Sequence, residues 1–178
     1  MNVLSLHDAV YVSEGVDDDM VGGHQFHYLD FHVDGRRLRD RFDHTHDVIT
    51  TLNRPWLNAL DEGIAELTGR RPDPALPAGR IALLRCAQCG DLGCGAVTAR
   101  LTVTPQTVTW SDFAWENDYD VRPTPLHPGL AFVFDSDVYL TTIDSSRSRV
   151  AALPYNAPPT HGRTFRWPWQ WGWRLSPR

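Results

Sequence analysis

The chain has 178 residues, 42% of them hydrophobic and 11% aromatic, with a net charge of −5. That length and composition exclude a disordered chain and fit one globular domain with a real core, with room for a tail. No window approaches 18 uninterrupted apolar residues, so no membrane span is expected. The start, Met1 to Asp8, has no basic n-region and no apolar h-region, so no secretory signal is expected. With three cysteines there is no disulfide framework, since one would always be left over, and a reducing cytoplasm is the expected location.

Charge is unevenly spread. Residues 1–144 hold all 22 acids and 11 of the 17 basic residues, whereas residues 145–178 carry six arginines and no acid. There is no lysine, which excludes Schiff-base and lysine general-base chemistry.

In chain order, Ala9–Val12 reads as a short strand and Glu14–Gly23, with three consecutive aspartates, as a solvated loop. Gln25–Val33 is a β-type run ended by Asp34-Gly35, a pair that favours a tight hairpin turn. Arg36–Phe42 reads as the returning strand or the first turn of a helix, with solvated arginines. The clearest helix falls within 44–70. Pro55 suits its first position, Leu57, Leu60, Ile64 and Leu67 form one apolar stripe, and Gly69 supplies the stop. Asp61, Glu62 and Glu66 then fall elsewhere on the surface. Arg70–Gly79 is a proline-rich connector.

An antiparallel meander follows. Arg80–Arg85 leads into a cysteine loop and Gly95–Val103 leads out, with Val97, Ala99, Leu101 and Val103 on one face. Thr104–Thr107 turns the chain. Val108–Trp115 returns, with Val108, Trp110 and Asp112 on one face and Thr109, Ser111 and Phe113 on the other. Glu116–Asp120 and the prolines at 123, 125 and 128 make a loop. Leu130–Phe134 is a further strand, and Asp135 or Ser136 caps a short helix through Val138, Tyr139 and Ile143. The expected fold is α+β: a central antiparallel meander with two or three helices over 1–150, then an extended aromatic arm over 151–178.

The chemistry concentrates in Arg85–Ala96. Cys86, Cys89 and Cys94 fall within nine residues, interleaved with Gly90, Gly93 and Gly95 around Asp91. Cys86-x-x-Cys89-Gly90 has the form of a metal knuckle, and Cys94 is within reach as a third ligand. Zinc is the expected cofactor, with His44, His46, His127 or Asp91 as candidates for a fourth ligand. Two other readings stay open. One is a redox dithiol of Cys86 and Cys89, although such motifs usually open a helix whose dipole helps hold the thiolate, and here glycines and a strand follow. The other is small thiols packing a glycine-rich turn.

Arg85–Thr98, together with Val108–Asn117 and Phe132-Val-Phe-Asp135 followed by Tyr139, resembles a group of small uncharacterised bacterial proteins common in actinobacteria. Their pattern is similar to C-x-x-C-x-D-x-x-C-G, then W-x-D-F on a strand, then F-x-F-D before a short helix. The likeness covers roughly 25–147 and omits the arm. It implies that the cysteine loop, Asp91 and the Trp110–Glu116 strand form one common design; some members carry an "oxidoreductase" label.

Other constellations are weaker. His24-x-x-His27 and His44-x-His46 invite a metal, but eight histidines in such a chain produce pairs by chance. No HExxH, Gly-x-Ser-x-Gly or phosphate-binding glycine loop is present. Asp91, Asp112 and Glu116 would serve acid–base work only if the meander brings them together. In the arm, Phe165, Trp167, Trp169, Trp171 and Trp173 alternate, and Arg166 and Arg174 sit beside them. Tryptophan and arginine are common interface anchors, so the arm is expected to dock on this chain or on another protein, ahead of nucleic acid, which the acidic body would repel. The expected function is an accessory or protein-binding module of immunity or adaptor type with a structural cysteine loop. The alternative is a small metal- or thiol-dependent oxidoreductase with Cys86 and Cys89 as working groups and Asp91 or Glu116 as proton carrier.

Overall fold

Alternation of apolar and polar residues sets the first hairpin. The computed structural model describes residues 1–12, 25–43, 47–120 and 122–155. Strand β1 (Leu4–Val12) pairs antiparallel with β2 (Gln25–Val33), Leu4 opposite Val33 and Val12 opposite Gln25. Leu4, Leu6, Leu29, Phe31 and Val33 are buried by this register. Asp34 and Gly35 take φ of 52° and 75°, as a tight hairpin turn requires, and β3 (Arg36–Arg37) returns for two residues. A 3-10 turn over Arg39–Arg41 follows, so both readings of 36–42 are realised in part. Arg36 is exposed, as expected, but the other three arginines here are half-buried and engaged. Arg37 Nε lies 2.6 Å from the buried Asp30 carboxylate, Arg39 donates to Val48 O, and Arg41 sits 5.0 Å from the centre of the Phe132 ring.

The second sheet holds β4 (Val48–Ile49), β5 (Arg80–Cys86), β6 (Ala96–Val103), β7 (Thr107–Glu116) and β8 (Thr124–Pro125) in that order. Strand β9 (Phe132–Asp135) joins β8 on the edge of β7 that β6 leaves free. Backbone hydrogen bonds connect the two sheets at both margins. Leu29 N–H donates to Leu52 O at 2.8 Å and Arg54 N–H to His27 O at 3.0 Å. At the other margin, Asn2 N–H donates to Val133 O at 2.7 Å. The result is one curved β wall with helices α1 (Leu60–Leu67) and α2 (Ser136–Ala152), an α+β architecture. Both sheets and both helices contribute to the main core.

Trp110 lies at its centre. It is fully buried and meets Phe31, Phe134 and Tyr139 edge-on at centroid distances of 5.4, 5.0 and 5.8 Å. Its Nε1–H donates to the Tyr139 hydroxyl at 3.1 Å, and that hydroxyl donates to Leu67 O at 2.8 Å. The polar atoms of two buried aromatics are thus satisfied in a chain that ties β7 and α2 to the end of α1.

Three expectations are corrected. The helix within 44–70 is shorter than its stripe suggested: a 3-10 turn over Leu57–Ala59 precedes α1, and Pro55 lies before both. Sheet pairing takes Val48–Ile49 and Leu52–Arg54, just ahead of the helical stripe. Second, Asp112 does not share the Val108–Trp110 face. Thr98 pairs with Ala114 and Arg100 with Ser111, so two residues of β7 oppose Ala99 alone. This bulge puts Asp112 at φ 49° and shifts the phase, so Phe113 is buried and Asp112 is exposed. Third, the capped helix after β9 is long. Asp135 Oδ1 accepts from Val138 N–H at 3.0 Å, and the 17 residues of α2 bury Tyr139, Ile143, Ser146 and Val150. Ser146 reads as loop-like by type, but its hydroxyl bonds back to Ile143 O at 2.6 Å.

No helix among the described residues is long and apolar enough to cross a membrane. The arm residues Arg166, Trp167, Trp169, Trp171, Trp173 and Arg174 lie outside the described residues, as do His24, His44 and His46.

Candidate metal centre and adjoining cleft

The cysteine loop is built by the end of β5 and the start of β6. Cys86 closes β5 opposite Val48, and Ala87 N–H donates to Asp47 O at 2.8 Å, which fixes the entry. Gly90 N–H donates back to Cys86 O at 2.9 Å and tightens the bend. Gly90 takes φ 69°, and a Cβ there would lie 3.0 Å from Trp56 Cη2, so the Trp56 ring packs directly on the bend. Asp91 caps the 3-10 turn Leu92–Cys94 through Gly93 N–H at 2.7 Å, and Leu92 is buried with Leu76, Ala82 and Ala96. Gly95 then takes φ 95° and ψ 153°, and the Trp115 ring lies against it.

This frame brings the sulfurs of Cys86, Cys89 and Cys94 within 4.8 Å of one another, close enough to hold a metal ion. Cys89 Sγ and Cys94 Sγ are 3.4 Å apart. Tetrahedral zinc with Zn–S bonds of ~2.3 Å spaces its sulfurs by about 3.8 Å, so little movement is needed. The surrounding groups favour ionised sulfur at one position. Burial pushes the Cys86 thiol up, but N–H groups of Cys89 and Gln88 and the two neighbouring thiols outweigh it and hold Cys86 below its ordinary value. Asp91 N–H points at Cys89 Sγ at 3.4 Å. Cys94 is pushed up to about 11, first by its hydrogen bond to Cys89 and then by the charges of Cys86 and Cys89. Three thiolates in one spot repel, and a soft divalent cation removes that repulsion.

The expected fourth ligands separate. Asp91 spends its carboxylate on the cap, and neither it nor His127 joins the sulfur group. His44 and His46 lie outside the described residues. The three carboxylates proposed for acid–base work do not converge either. Asp112 is exposed and paired with Arg100 at 3.0 Å. Glu116 is buried against Arg80, and Thr98 Oγ1 bridges them, 2.5 Å from the guanidinium and 2.6 Å from the carboxylate. Arg80 also donates to Asp112 O at 3.0 Å. That network lies one strand from the cysteine loop, since Glu116 pairs with Ala96, and it locks β5, β6 and β7 together.

Sequence reasoning missed the cleft beside the loop. Its volume is about 380 Å³ and its walls include Thr51, Trp56, Glu62, Glu66, Arg85 and Cys89, so one residue of the trio lines it. The lining is mostly apolar with a few polar groups, as small binding sites are. Burial raises the Glu66 carboxyl and Asp73 adds to this, while Arg85 and Arg71 pull it back. Arg85 is itself paired with the buried Asp73. Thr51 Oγ1 is buried and unpartnered among the described residues. Trp56 following Pro55, with two glutamates four residues apart on the next helix, was the available signal; a surface reading of Glu62 and Glu66 concealed it. No protein-family model matches the chain, and no curated protein or solved structure is significantly similar to it.

Proposed function

We propose that this chain is a protein-binding accessory module whose cysteine loop is pinned by one zinc ion held by Cys86, Cys89 and Cys94. The observation that carries the metal is the three-sulfur group within 4.8 Å. The metal's role is structural: it fixes the Cys89–Gly90 wall of the cleft against Trp56. The cleft and the aromatic arm are the recognition elements, and the partner is another protein. The resemblance drawn from the cysteine loop and the W-x-D-F strand is in keeping with one common design around this loop, without assigning it a reaction.

Elemental analysis of purified protein tests the metal, with about one zinc per chain expected. Cobalt substitution should give thiolate-to-metal charge-transfer absorption, and Cys89→Ser or Cys94→Ser should weaken retention by roughly 10-fold or more. Absence of zinc, together with no thermal stabilisation on adding zinc, would sink the proposal.

A second reading is an oxidoreductase working through Cys86 and Cys89, whose sulfurs lie within 4.8 Å of each other, with the Cys86 thiol, despite its partial burial, held below its ordinary value by neighbouring N–H groups and thiols. Against it, Cys89 Sγ lies 3.4 Å from Cys94 Sγ, so Cys94 competes for the same partner. Titration of thiols against a glutathione redox buffer decides it. A single Cys86–Cys89 disulfide with a defined potential supports that reading, and three unreactive thiols remove it.

A further inference from the structure

We infer that the arm, residues 160–178, docks in the cleft of its own chain. This rests on the reading of the cleft as a recognition surface and is independent of the metal.

The first argument is where the described chain ends. Tyr155 is the last described residue, and the Arg54 guanidinium sits 5.1 Å from its ring centre. Arg54 is two residues before Trp56, a wall of the cleft. The chain is therefore delivered to the cleft's own segment, and residues 156–178 follow. At ~3.3 Å per residue, even half of that length reaches across the cleft on the order of 30 Å.

The second argument is charge. The cleft carries Glu62 and Glu66 on one helix face; Arg71 pairs with the exposed Glu62 at 2.9 Å, the Arg85 charge is taken by Asp73, and Glu66 is left as the half-buried acid of the lining. Glu66 is desolvated to the point that its carboxyl is raised, which a docked cation relieves. Residues 156–178 carry Arg163, Arg166, Arg174 and Arg178 and no acid. The third argument is surface chemistry. The lining is largely apolar and includes the Trp56 ring, and the arm alternates Phe165, Trp167, Trp169, Trp171 and Trp173. Such a row is not left in water without cost. Arginine also stacks on tryptophan, so Trp56 receives either kind of side chain.

Hydroxyl-radical footprinting of the full chain tests this. The arm tryptophans should oxidise about tenfold more slowly than in Arg166→Glu/Arg174→Glu, the protection expected from a docked-to-free ratio near ten. That variant changes only the arm and leaves the described fold untouched. Glu62→Arg/Glu66→Arg should lose the protection too, and combining all four substitutions should restore it by swapping the charges. Protection should not vary with chain concentration, and zinc content should be the same in every variant, which separates failure here from failure of the metal reading. Tryptophans oxidised at the same rate in all variants would overturn the inference. So would protection that rises with concentration alongside dimer formation, which would assign the cleft to a second copy.

Discussion

Replacing Gly95 by alanine should be among the most damaging single-methyl additions in the chain. Gly95 sits at φ 95°, ψ 153°, a region open essentially to glycine alone, and an alanine there costs about 1–3 kcal/mol in backbone strain. The added methyl would also lie 1.9 Å from Trp115 Cζ2 and 2.3 Å from Cε2. The indole cannot yield by a few tenths of an ångström; it has to leave. Trp115 is half-buried and packs on the main core, so displacing it forfeits a further ~1–3 kcal/mol of packing. The sum, roughly 4 kcal/mol, corresponds to a fall in Tm of about 12 °C for a domain of this size. Calorimetry or denaturant unfolding reads it. The decisive arm is a double-mutant cycle. In a Trp115→Ala background the clash is gone and only the backbone cost remains, so Gly95→Ala should become at least ~1 kcal/mol cheaper. Effects that add within about 0.5 kcal/mol would refute the steric argument and leave backbone strain alone.

The remaining predictions concern charge. Arg80 and Glu116 are 7% and 8% exposed and paired, so Arg80→Met or Glu116→Leu alone strands a buried charge and should cost about 3–5 kcal/mol. The double replacement should recover most of that loss; if it is as unstable as either single variant, the pair is not the issue. His32 stacks on His7 at 4.0 Å, and burial followed by the His7 charge lowers its pKa below 6.5. The folded state thus prefers neutral His32. The associated stability is present above pH ~6.5 and is lost as pH falls through the lower folded value. Stability should drop between pH 7 and pH 5 by more than it does in His32→Gln, in unfolding curves taken at each pH. The nearby Asp30 carboxyl is raised by burial and works in the opposite sense, so the comparison with the variant is what isolates the histidine. Equal pH slopes in the two proteins would rule the histidine pair out.

Much of the fold is legible in residue order because local signals and tertiary pairing agree. Asp34-Gly35 turns where it should, β5, β6 and β7 form a meander, and Gly69 closes α1 with its N–H on Glu66 O. The failures have a common cause. A bulge cannot be read from alternation, since it is the departure from alternation, and at Asp112 it exchanged two faces. Residues 48–54 carry no strand pattern strong enough to outweigh a helical stripe downstream, yet they connect the two sheets. Glu116 reads as the start of a loop and a candidate proton carrier, and nothing in the sequence pairs it with Arg80. Their burial depends on β6 lying between them, and strand order is not a local property.

The candidate site divides along the same line. Three sulfurs within nine residues announce themselves, since chain connectivity alone keeps them close, whereas the cleft is assembled from Thr51, α1 and the loop, which are distant in sequence. What makes the sulfur group a coherent unit is the material on either side of it. Trp56 covers Gly90 and Trp115 covers Gly95; a Cβ would crowd the first contact and abolish the second. The loop is thus clamped at two points independent of any ion. Coordination by the three cysteines then has little ordering entropy left to overcome, which favours tight binding. The clamp at Gly90 is also a wall of the cleft, so the same contact that positions Cys89 shapes the surface beside it. Were a metal held by the three cysteines, its removal should be felt first at Trp56, not in the sheet, where the Arg80–Glu116 network and the β5–β7 pairings hold without the loop.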